Sequence, residues 1–201
     1  MAAVEKHILE AVERQHEDDD VKQFPEAHQL IHRLQGTLKS HVEALDAHLQ
    51  GFTGGGGVAG TLKEAVTGVL GAIAGVYDKV RKDTASRALR DDYTALSLAS
   101  VSYGMLHTTA LGLSQGTVAE VARRHLEEIN GIIMDLGLAI PRVVLKELSF
   151  EGYTIDTGVA DKAVANLRES WSRSAAHEAA GVGTSAGNVS AGSSSGGSFT
   201  L

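Results

Sequence analysis

Cysteine is absent from the 201-residue chain. That removes disulfides, thiolate metal sites and cysteine nucleophiles together. It fits any compartment, and the cytoplasm is the compartment expected here. Proline is nearly absent, with Pro25 and Pro141 alone. Ala, Leu, Glu and Lys are frequent up to residue 178, so the chain favours long helices that proline would break. Aromatic residues make up only 4% of the chain, which leaves a core of aliphatic side chains and alanine. Charge of one sign is short as well. There are 18 Lys and Arg against 25 Asp and Glu, for a net charge of −7, and no basic block. A nucleic-acid phosphate surface wants clustered cations, so nucleic acid is not an expected partner.

Long apolar runs are missing too. Met1 to Asp20 carries no basic region followed by an apolar stretch, so no signal peptide is expected. Tyr93 to Ala119 contains no Asp, Glu, Lys or Arg. It does hold Ser97, Ser100, Ser102, His107, Thr108, Thr109, Ser114 and Gln115, too many polar groups for a membrane span of roughly 20 mainly apolar residues. A buried bundle helix is expected there, and no membrane. Gly54 to Gly57 precedes no Gly-Lys-Ser/Thr and follows no readable strand, so it is a flexible break and not a phosphate loop.

What is present is helical periodicity. Val4, Ile8, Ala11 and Val12 predict a short amphipathic helix over 2–16, and Glu17-Asp18-Asp19-Asp20 a solvated loop or a helix N-terminus. Pro25 suits a first turn. Leu30, Ile31, Leu34, Leu38, Val42, Leu45 and Leu49 then mark a helix over 25–50. Leu62, Val66, Val69, Leu70, Ile73 and Val76 predict another over 58–81. Residues 85–113 and 117–147 follow, the first with an inner stripe of Leu89, Tyr93, Leu96, Ser100, Tyr103, His107 and Leu111 that holds no carboxylate. The second is striped by Val118, Ala122, Ile129, Ile132, Ile133, Leu136 and Ile140, with Pro141 expected to kink its end. Thr157 opens a last helix carrying Ala160, Val164, Leu167 and Trp171. Short loops make antiparallel neighbours. The expected fold is therefore an all-α, antiparallel four-helix bundle over 1–178, with extra N- and C-terminal helices packed outside it or across an oligomer interface. A disordered Gly/Ser tail over 179–201 cannot bury enough apolar surface to order itself. The helices at 58–81 and 85–113 are apolar over more than one face, which predicts a homo-oligomer.

Few residues can carry chemistry. A carboxylate-bridged di-iron bundle needs about four inward Glu and two His in Glu-x-x-His pairs, and the stripes do not supply them. His107 is the one metal-ligand type on the 85–113 stripe. His125 sits at the centre of the 117–147 face with Glu128 three residues on, so both share one side of that helix. His107, His125 and Glu128 are the candidate metal ligands, for iron or another divalent ion, although a metal-free protein is the leading expectation. His28 and His32 stand at chelate spacing, but with His41 and His48 they fall on the edge of a polar face and read as exposed. Glu13-Arg14-Gln15-His16 is a literal Glu-x-x-His at a helix end, read as chance. No Gly-x-Ser-x-Gly or Ser/His/Asp set points to nucleophilic catalysis. Asp91 and Asp92 point to different sides of their helix. The terminal Phe199-Thr200-Leu201, on a flexible linker, has the form of a docking peptide for a protein groove.

Pro25-Glu26 opens a helix that continues to Ser40-His41-Val42-Glu43-Ala44-Leu45-Asp46. It is followed by an Ala/Gly-rich helix, by Asp92-Tyr93 entering a helix with Ser102-Tyr103-Gly104, and by a helix with Leu126-Glu127-Glu128. In order and spacing, over about residues 4–140, this resembles the bacterial stress-associated, ferritin-like proteins of unknown activity. The resemblance implies a ferritin-like bundle with a structural, stress-related or assembly role. Where that family carries Glu and His, this chain has Ser97-Leu98-Ala99-Ser100 and Gln35-Gly36-Thr37, so the resemblance does not carry the family's metal ligands over.

Overall fold

The computed structural model describes residues 1–52, 84–156 and 158–185. Among them are six helices and no strand: α1 (Ala2–Glu17), α2 (Asp19–Lys22), α3 (Pro25–Phe52), α4 (Ala85–Gly112), α5 (Gly116–Phe150) and α6 (Val159–Ser185). The helix expected at 58–81 and the terminal Phe199-Thr200-Leu201 lie outside the described residues. The chain divides into two compact units, Met1–Ala160 and Asp161–Leu201. In the second, α6 runs to Ser185, beyond the expected end of the helical region at 178; Ala179 and Ala180 are strong helix formers that prolong it.

In the first unit, α1 buries Val4, Ile8, Ala11 and Val12. The acidic run is a helix start: the Asp18 carboxylate accepts the Asp20 backbone N–H at 2.8 Å. It caps α2, with Asp19 and Asp20 in the first turn. Polar pairs give the helix directions. Lys6 reaches Asp46 and Glu13 reaches Lys39, so α1 and α3 run antiparallel. Arg33 pairs with Asp135, and Glu26 with Arg142 and Lys146, so α3 and α5 are antiparallel too. Ser100 bonds Asn130 and Ser86 bonds Glu147, which sets α4 antiparallel to α5.

Residues 93–119 form much of a helical hairpin, turned by Leu113-Ser114-Gln115. Ser114 takes a left-handed φ of 56°, a conformation unusual for a residue with a side chain. The Glu147 carboxylate from the last turns of α5 accepts the Ser86 backbone N–H at 2.8 Å and satisfies an orphan donor at the start of α4. No helix among the described residues is long and apolar enough to cross a membrane. α5 passes through Pro141 without ending and reaches Phe150.

The core is built from Ile8, Ile31, Leu34, Leu38, Leu89, Leu96, Ile129 and Leu136, all fully buried, each stabilising by about 1.5–3 kcal/mol. On α4 the buried face is mainly alanine: Ala88, Ala95 and Ala99. These small side chains let α5 come close, and α4 and α5 make the most extensive contact in the unit. Three expectations change here. The N-terminal helix is not an outer addition, because α1 lies in the core against α3 and α4. α4 is not free of inward carboxylates, because Asp92 is fully buried. Leu111, assigned to the inner stripe, is 58% exposed at the end of the hairpin.

Candidate metal centre

Four helices bring polar side chains to one level of this apolar core. Glu5 lies one turn into α1, three residues before Ile8 and seven before Val12, and so shares their inward face. His41 on α3 follows Leu34 and Leu38 at the same three- and four-residue steps. Tyr103 comes from α4, and His125 and Glu128 from α5. Glu5, His41, Tyr103 and His125 are 0–2% exposed, whereas the Glu128 side chain is 47% exposed.

His41 is the hub. Its Nδ1–H donates to Glu5 Oε1 and its Nε2–H to Glu128 Oε2, each at 2.9 Å. The His41 ring stacks on that of His125, with centroids 3.7 Å apart and planes 5° from parallel. Tyr103 stands edge-on to His125, its hydroxyl 3.0 Å from His125 Nδ1.

The two histidines are held in different protonation states. Burial disfavours the charged form of His41, but the hydrogen bonds and charges of Glu5 and Glu128 outweigh it and raise its pKa. His125 is buried beside that cation and receives no carboxylate bond among the described residues. Burial first, then the charges of His41 and Arg124, push it down to about 4. Near pH 6 an imidazolium therefore stacks on a neutral imidazole. Burial, the Glu5 charge and a hydrogen bond to the Glu5 carboxylate also push the Tyr103 phenol far up, so Tyr103 stays a hydroxyl that links Glu5 to His125 Nδ1.

Glu5, His41 and His125 each offer a ligand atom, and these atoms lie within 4.8 Å of one another. Glu5 Oε2 is buried and has no hydrogen-bond partner among the described residues. A buried carboxylate oxygen without a donor is costly, and a cation removes that cost. Two imidazoles and a carboxylate suit iron, zinc and neighbouring divalent ions. A pocket of about 190 Å³ is lined by Asp20, Phe24, Thr84, Glu147, Phe150 and neighbours, none of them in the cluster.

Of the three candidate ligands, the structure brings His125 and Glu128 together and leaves His107 apart. His107 is one turn beyond Tyr103 on α4, and its Nδ1–H donates to the Ala119 carbonyl at 2.8 Å, tying the two arms of the hairpin. The residues missed are Glu5 and His41. His41 is not an exposed edge residue, as expected, but 2% exposed. The chain matches no protein-family model, no curated protein and no solved structure.

Proposed function

We propose that this chain is a metal-binding helical bundle in which Glu5, His41 and His125 hold one divalent transition ion. The observation that carries the reading is the convergence, within 4.8 Å of one another, of one ligand atom each from Glu5, His41 and His125, all buried in the core. Glu128 is the supporting group. By accepting the His41 Nε2 proton it fixes that ring with Nδ1 toward Glu5, the arrangement in which an outer carboxylate orients a metal-bound histidine. An ion at Nδ1 takes the place of a proton, so the cluster exchanges one cation for another. Each imidazole binds an ion in its own plane, so the parallel stack is the metal-free form and one ring tilts on binding.

One carboxylate and two imidazoles suit one ion; a dinuclear carboxylate-bridged centre uses about four carboxylates. The antiparallel arrangement of α1, α3, α4 and α5 supports extending the proposal to a ferritin-like bundle with a reduced ligand set. Titration with cobalt(II) tests the binding. One bound equivalent should disappear in His125→Phe, and an unchanged stoichiometry in that variant sinks the assignment.

A second reading, self-association into a structural assembly, is favoured by Val101, Met105, Leu111 and Leu113, which are 58–68% exposed along the outer face and tip of the α4 hairpin. Such a row is costly to leave in water. Light scattering should give a mass above that of one chain, falling in Val101→Glu/Met105→Glu. A monomer at all concentrations refutes it.

A further inference from the structure

A second group of histidines lies where α1 ends and α3 begins. His16 occupies the last turn of α1, and His28 and His32 are on the first turns of α3 at chelating i, i+4 spacing. The His16 ring centroid is 4.6 Å from that of His28 and 5.3 Å from that of His32. Two imidazoles bound to one tetrahedral ion, at about 2.0–2.1 Å each, place their centroids about 5 Å apart. The His16 ring already stands at about that separation from each of the other two. Their nitrogens are farther apart than the ligand atoms of the Glu5 group, so binding requires ring rotation, which exposed His32 makes readily.

The hydrogen bonds of this corner are those of a metal site's outer ring. His16 Nδ1–H donates to Glu17 Oε1 at 3.3 Å, while His16 Nε2 is buried and has no hydrogen-bond partner among the described residues. His28 Nε2–H donates to the His16 carbonyl at 3.2 Å, which leaves Nδ1 with the lone pair. Ligating histidines characteristically give their other N–H to a carboxylate or a backbone carbonyl, and the bond fixes tautomer and ring. Glu17, Asp18, Asp19 and Asp20 follow directly and favour a cation, with Lys22 offsetting part of their charge through Glu17. His28 and His41 are 13 positions apart on one helix, about 20 Å at 1.5 Å per residue, so this corner and the central cluster are separate.

We infer that His16, His28 and His32 form a second, solvent-facing site for a borderline divalent ion of the zinc, nickel or copper class, with a ligand position open to water. This inference does not depend on the central site.

Zinc(II) titration by calorimetry of the full chain, chelator-stripped beforehand, tests it, with His32→Ala as the variant because that side chain is exposed and its loss spares the core. Far-ultraviolet circular dichroism and thermal melts check that the variant folds. The expected result is a binding event in the wild type that weakens more than about 100-fold in His32→Ala, beyond the 10–100-fold typical of losing an outer-ring partner. The same event should weaken about tenfold in Glu17→Gln and be untouched in His125→Phe. If every zinc equivalent survives His32→Ala with its affinity intact, or if no zinc binds, the inference is overturned. If the wild type binds a single zinc that His32→Ala removes, this site stands and the central assignment falls.

Discussion

Replacing Glu5 by Gln changes one atom at the centre of the core and keeps its shape. The amide oxygen still accepts from His41 Nδ1 at the 2.9 Å position, but the bond loses its carboxylate charge. The bond keeps the His41 cation but loses the opposing charge, so up to about 1 kcal/mol is lost. The amide NH2 then occupies the place of Oε2, which has no partner among the described residues. Two buried donors without acceptors cost a further 1–3 kcal/mol. Easier desolvation of the neutral group offsets part of this. Glu128 still pairs with His41, so no isolated buried cation results. The net destabilisation is about 2 kcal/mol. At about 2–4 °C per kcal/mol for a chain of this length, the melting temperature falls by about 4–8 °C. The assay is differential scanning calorimetry of chelator-treated protein near pH 6, paired with NMR titration of His41, whose pKa moves down once Glu5 is neutral. An unchanged or raised melting temperature refutes the reasoning, since the buried carboxylate would then be no net support to its neighbours.

Two further outcomes follow from the same structure. The chelator-treated protein should be most stable near pH 6.5, because the two stacked histidines pull in opposite directions. His41 has a raised folded pKa, so its contribution is complete below about 6.5, its unfolded value, and is lost as the pH climbs through the folded one. His125 has a folded pKa of about 4, so its contribution is complete above about 6.5 and fades on acidification, costing about 3 kcal/mol by pH 4. Urea melts across this range should show the acid limb shallower in His125→Phe than in the wild type, and parallel limbs refute the assignment. Separately, Gly36→Ala should raise stability by about 1 kcal/mol, because Gly36 is an exposed interior residue of α3 and an added Cβ meets nothing within 4 Å; a drop in the urea midpoint refutes it.

The helices were legible because their apolar periodicity is strong. The expected spans 2–16, 25–50, 85–113 and 117–147 match α1, α3, α4 and α5 to within a few residues at each end. The acidic run reads as a loop or as a helix N-terminus, and the sequence does not choose between them, since the four residues of α2 leave no periodicity to see. The site was half legible. His125 and Glu128 stand out because they interrupt or flank a continuous apolar stripe. His41 lies off the expected stripe by a shift of phase. Val42, Leu45 and Leu49 draw the eye to a stripe that excludes it, yet Val42 and Leu45 are only half-buried and Leu49 is 50% exposed. The buried series runs Ile31, Leu34, Leu38, His41, a heptad-like step of 3 and 4. Glu5 carries a charge and so does not count toward an apolar stripe, although its spacing to Ile8 and Val12 places it inward. No periodicity in a single helix can state that these residues meet, because the meeting is a property of tertiary packing.

The antiparallel pairs described above group the first unit into two hairpins, α1 with α3 and α4 with α5. Glu5 and His41 belong to one; Tyr103, His125 and Glu128 belong to the other. Neither hairpin alone owns a ligand set, so the cluster exists only while the two are docked. An ion held there acts as a clasp across the seam. On the proposed reading, its binding energy would add to the association of the two hairpins rather than to the packing within either.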